Sequence, residues 1–146
     1  MKQEDKELLL ADLCGRVPYK PKIKIGEYHD YTLMGIDLSK EKPIIVELDG
    51  HSFEVSCKNV QLVLRPMSSM TEEEFEKLKE YSGLKYDQLD LASYQNGTYK
   101  CLDFYLSEVP SYVVILAFEW LNKHHFDYRG LIEKNLASEA FDGMYK

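Results

Sequence analysis

Apolar residues recur along this chain with two different periods, and the changes of period mark its elements. In residues 3–14, Leu9, Leu10 and Leu13 share one helical face, with Asp12 at its margin. Glu4, Asp5 and Glu7 suit the positive end of a helix dipole and Gly15 suits a C-cap, so a short helix is expected. "RVPYKP" interrupts it. From Lys22 to Arg65 the period becomes two, in the runs "KIKIG", "YTLMGID", "PIIVELD", "HSFEVS" and "VQLVLR". Their β-branched content and the turn residues between them predict five short strands. Asp49–Gly50 supplies the positive φ angles of a type I′ turn, making 43–48 and 51–56 hairpin partners. Five strands in this span are too few for a typical sandwich. They fit a small antiparallel barrel of the SH3-like or Tudor-like kind over 22–66, whose closure would remove exposed edges.

After Pro66 the helical period returns. Thr71 and Glu74 form a capping-box pattern, Glu72 and Glu73 complement the dipole, and Gly83 stops a helix over 71–82. Its apolar stripe, Phe75, Leu78 and Tyr81, is narrow and belongs to a surface helix. In 84–108, "QNG" lies between "LDLASY" and "TYKCLDFYL" and predicts an extra hairpin. Pro110 sits at the N1 position of a strongly apolar helix over about 111–123, wide enough for a core or for a dimer interface. Asp127 is expected to cap a last helix with Leu131, Ile132 and Leu136 as its buried stripe. The fold class is therefore α+β. One compact domain over 1–146 is expected, with the barrel flanked by the 3–14 helix and by two C-terminal helices in 110–140.

Composition narrows the function. The chain has 146 residues, enough for one core without staples. Its net charge is −7 and it holds no basic run, apart from Lys20, Lys22 and Lys24. That disfavours duplex nucleic acid and membrane surfaces, which call for a basic face. Cys14, Cys57 and Cys101 are odd in number and far apart, as expected of reduced thiols. With neither a secretory h-region nor an apolar stretch near the roughly 20 residues of a bilayer span, a cytoplasmic protein is expected.

The chemistry is sparse. His124 and His125 are neighbours whose side chains diverge by about 100° on a helix, and no HxxxH or ExxH spacing occurs, so no metal is expected. There is no GxSxG elbow and no phosphate-cradling glycine loop. Assembly of Cys57 or Cys101 with His124 by the fold stays open, but the expectation is no enzyme and no cofactor.

"WLNKHHFDYRGLI", Trp120–Ile132, is the densest stretch. Read structurally, it ends one helix with Lys123 and His124 on bare carbonyls, turns at His125–Phe126 and starts the next helix at Asp127. Gly130 there hints at a close approach. Read functionally, Trp120, His124, His125, Tyr128 and Arg129 gather donors and aromatic planes beside a helix start, where anions bind. "LRPMSSM" would add Arg65, Ser68 and Ser69 if the two stretches meet. Together these eight residues are the candidate ligand-binding site, a pocket for a phosphorylated or nucleotide ligand.

"LRPMSSMTEEE" (64–74), "WLNKHHFDYRGLIEKNLASEA" (120–140) and "DLCGRVPY" near the start resemble a family of small uncharacterised proteins from phages and prophages of gut Bacteroidales. The resemblance leaves 84–108 uncovered and transfers no residue's role. It implies a phage accessory protein made in a bacterial cytoplasm, acting against host defence. The function expected is non-catalytic binding, in its sharpest form the sequestering of a nucleotide immune signal. The alternative is an adaptor or inhibitor that binds a host protein through the barrel or helical surface.

Overall fold

A computed structural model describes residues 1–84, 90–96 and 111–145. Residues 1–146, read from the sequence as one domain, divide into two compact units: Met1–Leu64 with Arg129–Lys146, and Arg65–Tyr128. The architecture is α+β.

In the first unit, helix α1 (Gln3–Arg16) sends Leu9 and Leu13 into the core. It runs through Gly15, the expected C-cap, because the stop comes later: a 3-10 turn at Val17–Tyr19 holds Pro18, and Lys20 turns left-handed at φ 47°. The strands follow as β1 (Lys22–Ile25), β2 (Tyr28–Ile36), β3 (Ile44–Leu48), β4 (His51–Val55) and β5 (Gln61–Pro66). The hairpin at Asp49–Gly50 is as expected, with φ of 50° and 81° and Leu48 opposite His51. Alternation buries Ile23, Leu33 and Val46 completely on the inner face, joined there by Leu62 and Leu131.

The barrel expected over 22–66 does not close. The strands run β4-β3-β2-β1-β5 as an open sheet. The free edge of β5 is taken by a strand absent from the sequence reading, β7 (Ala137–Glu139), which pairs Leu62, Val63 and Leu64 in parallel with Ala137, Ser138 and Glu139. The same finding corrects the last helix. Gly130 (φ 70°) and Asn135 (φ 58°) leave helical space, and the N–H groups of Leu136 and Ala137 both donate to the Leu131 carbonyl. Leu131 and Leu136 are buried as predicted, but the 131, 132, 136 spacing serves a turn and a strand instead of a helix.

Two polar ties hold this unit's ends. The Tyr145 hydroxyl accepts from the Lys22 N–H at 2.9 Å and donates to the Val63 carbonyl at 2.6 Å, and burial pushes its pKa up to about 12. Asp12, 1 % exposed, accepts from Arg16 at 2.6 and 3.3 Å and pairs with Arg129 at 3.2 Å.

The second unit packs helix α2 (Glu72–Ser82) against α4 (Ser111–Lys123), with a short α3 (Leu91–Gln95) beside them. Phe75, Leu78, Tyr94, Val113, Ala117, Trp120 and Leu121 form its core. The capping box of α2 is complete: Glu74 N–H donates to Thr71 Oγ1 at 3.2 Å and Thr71 N–H to Glu74 Oε2 at 2.9 Å. Gly83 closes it in the left-handed conformation. The first arm of the hairpin expected in 84–108 is helical at Leu91–Gln95, because the Asp90 side chain accepts from the Ser93 N–H as an N-cap. The second arm and Pro110 lie outside the described residues. Strand β6 (Phe126–Asp127) follows α4, so Asp127, expected as an N-cap, instead lies opposite Pro66.

Asp12→Ala removes the carboxylate that pairs with the fully buried Arg16 guanidinium and should cost about 3–5 kcal/mol. Arg129→Ala, which removes a partly exposed partner, should cost under about 1 kcal/mol. Urea unfolding followed by circular dichroism checks both. Equal losses for the two variants would remove the central role given to the buried pair.

Candidate functional site

The two stretches singled out in the sequence meet within the second unit. The Arg65 N–H donates to the His125 carbonyl at 2.8 Å, and Arg65 and Pro66 pair in parallel with Phe126 and Asp127. The bend that makes this possible is local. After α4 the chain turns through His125 at φ 62°, a left-handed conformation that histidine adopts more readily than most residues. The His124 and His125 N–H groups close the helix on the carbonyls of Trp120 and Asn122.

Around this joint the side chains are mostly engaged with one another. Arg65 grips Glu74 with both terminal nitrogens, at 2.7 and 2.9 Å, and lies 4.2 Å from the Phe126 ring centre. Its Nη2 also reaches the Ser69 carbonyl at 3.4 Å. Burial alone would raise the Glu74 carboxyl. The hydrogen bonds from Arg65 and Thr71 and the charge of Arg65 outweigh it and hold the group below the usual carboxylate value. The Ser69 hydroxyl donates to the Pro66 carbonyl at 2.8 Å, while Ser68 is exposed.

Trp120 stacks with two neighbouring rings. His124 stacks on it at 4.1 Å and Phe126 at 5.9 Å. Burial, then the charge of Lys123, pushes the His124 pKa down; Arg65 and Lys77 add to this and Glu74 opposes it. At neutral pH His124 is therefore an uncharged ring. His125 is buried, and Tyr128 is half-buried with its ring 4.9 Å from that of Phe118. Arg129 belongs to the first unit, where it pairs with Asp12. Thus Arg65, Ser68, Ser69, Trp120, His124, His125 and Tyr128 share one unit. The two arginines meant to attract an anion each face an internal carboxylate.

The sequence reading missed the residues that satisfy these donors. Glu74 was assigned to the capping box alone and Asp12 to a helix margin. The missed signal for Asp12 is the i, i+4 spacing to Arg16 on the face that carries Leu9 and Leu13. It also missed two features of the first unit. One is the placing of the expected strand β4 as an edge, with His51, Ser52, Phe53 and Glu54 exposed at the end of the sheet. The other is a concavity of about 580 Å³ on the outer sheet face, bordered by Lys22, Tyr28, Thr32 and Glu47.

Reactive groups are few. Cys14 is exposed; Cys57 is buried, and burial pushes its thiol pKa up, away from the reactive thiolate. Cys101 lies outside the described residues. Among the described residues no cluster of three His, Cys, Asp or Glu side chains could hold a metal ion, and no helix is long and apolar enough to cross a membrane. Comparison of the chain with known protein families, with curated proteins and with solved structures found no match.

The lowered His124 pKa has a sign. Between its folded value and the ordinary 6.5, the unfolded chain binds more protons than the folded one. Stability contributed by neutral His124 is therefore present above 6.5 and lost as the pH falls through that window. Thermal unfolding at pH 7 and pH 5 should show a drop in midpoint that is smaller in His124→Gln. An unchanged drop would show that the ring titrates normally.

Proposed function

We propose that this chain is a non-catalytic binding protein that engages a protein partner by accepting an added strand at β4. One observation carries the reading: β4 is an exposed edge, paired on one side only among the described residues. In a two-residue hairpin the pair flanking the turn, Leu48 and His51, exchanges both hydrogen bonds. Phe53 and Val55 then also bond inward, whereas Ser52 and Glu54 aim their N–H and C=O groups outward. Such a row is a template for an extended peptide, which is how edge strands recruit partners. Phe53 is 40 % exposed and sits edge-on to Tyr31 at 5.5 Å, giving an incoming strand an aromatic neighbour. No proline or lysine within β4 blocks the approach. The resemblance to phage proteins supplies a setting, in which the partner is a host protein and the outcome is inhibition of defence.

A second reading is favoured by the charges around His124. Lys123, Arg65 and Lys77 outnumber Glu74 there, so a nucleotide signal sequestered at this corner has electrostatic support. It would have to compete with the Arg65–Glu74 pair.

The readings separate cleanly. Glu54→Pro removes an outward N–H and leaves the inward ladder of β4 intact. The wild-type chain should retain one stoichiometric protein from a gut Bacteroidales lysate, and Glu54→Pro should lose it while keeping its circular dichroism spectrum. Failure to retain any protein, together with a thermal shift of more than about 2 °C on adding a cyclic dinucleotide, would transfer the assignment to the nucleotide reading.

A further inference from the structure

The outer face of the first unit's sheet carries charge that the other described residues leave without an ion pair. Ile23, Leu33 and Val46 point into the core, so Lys22, Thr32 and Glu47 point out, and the register aligns them across β1, β2 and β3. They line the concavity together with Tyr28, Asp30 and Asp49. Three acidic residues, Asp30, Glu47 and Asp49, thus line it beside a single basic one, Lys22. Its Nζ turns to neutral acceptors, the Asp30 carbonyl at 3.4 Å and Thr32 Oγ1 at 3.2 Å. Among the described residues none of the three carboxylates is ion-paired, while Glu54, Glu73, Glu74 and Glu76 all are. The Tyr28 side of the concavity is open to solvent, the residue being 69 % exposed. Carboxylates beside an aromatic ring recognise guanidinium and ammonium groups, through charge-assisted hydrogen bonds and the ring's negative face.

The register also provides a route. Glu47 lies opposite Ser52 on β4, which is the edge strand. A strand added at β4 would be separated from β3 by two strand spacings of about 4.8 Å each, with only the small Ser52 side chain between. An extended arginine or lysine side chain crossing Ser52 reaches Glu47.

We propose that this concavity receives the basic side chain of an arginine- or lysine-bearing segment in the protein partner. The proposal rests on the edge-strand reading for the partner being a protein, and adds that its docking segment is basic. The complementary sign explains how an acidic chain selects among extended segments, since mismatched charge weakens association.

The test uses a fluorescein-labelled hexa-arginine peptide, titrated by anisotropy at low ionic strength. The triple variant Asp30→Asn/Glu47→Gln/Asp49→Asn should weaken binding at least about tenfold. A control of equal charge change on other exposed carboxylates, Glu72→Gln/Glu80→Gln/Glu133→Gln, should weaken it less than about threefold. Tyr28→Ala should reduce affinity and Tyr28→Phe should restore it, because the ring face is kept. Should the triple variant fold poorly, Glu47→Lys alone should abolish binding. Equal losses in the groove and control triples, or no binding by the wild-type chain, would overturn the proposal. A captured protein lost by Glu54→Pro yet indifferent to the groove triple would overturn the groove and leave the edge reading standing. Groove-dependent peptide binding with no protein lost by Glu54→Pro would do the opposite.

Discussion

Strand β5 has hydrogen-bonding partners on both edges, and this constraint decides the architecture of the first unit. β1 occupies one side, through Ile23 opposite Leu62, and β7 the other, through Ala137 to Glu139. A small barrel closes when its last strands find each other; here the last strand of the meander has no edge left to offer. Among the described residues the sheet therefore ends at β4, whose outward backbone groups remain for water or for a partner. Closure would have removed the edge on which the proposed function depends.

The two charged regions of the chain behave in opposite ways. At the joint of the second unit, guanidinium meets carboxylate and imidazole meets indole, so the polar groups answer one another locally. A charged hydrogen bond of this kind is stronger than a neutral one, and an external anion would have to replace it on equal terms. At the concavity on the outer sheet face of the first unit, Asp30, Glu47 and Asp49 line the surface beside Lys22 and form no ion pair among the described residues. In the stretch that looks richest in chemistry as a string of letters, the side chains thus largely engage one another. The plainer alternating runs place Asp30 and Glu47 at the surface without an ion pair among the described residues.

Much of the fold was legible because the relevant signals are local. Thr71 and Glu74 are three residues apart and form the cap they announce; Asp49–Gly50 can hardly form anything but a tight turn. The apolar circumference of 111–123 placed the core helix. What stayed hidden depends on distant partners. Leu131, Ile132 and Leu136 fit a helical stripe equally well, and only the vacant edge of β5 makes Ala137–Glu139 a strand. The candidate site was half legible: the meeting of the two stretches stood as a condition, which the Arg65–His125 contact meets, but the partners of the arginines, Glu74 and Asp12, were not foreseen. A guanidinium advertises binding capacity in a sequence whether or not a carboxylate already fills it.

Because the first unit is built from residues 1–64 and 129–146, with the whole second unit between them in the chain, it is discontinuous. During synthesis the strands up to β5 leave the ribosome well before β7 does. For that interval β5 presents a bare apolar edge, Leu62, Val63 and Leu64, that the finished protein conceals. The intervening unit, contiguous and rich in short-range helical contacts, can fold meanwhile. Completion of the sheet is thereby coupled to the emergence of the final residues, so a product truncated before β7 would leave Leu62–Leu64 without the strand that covers them.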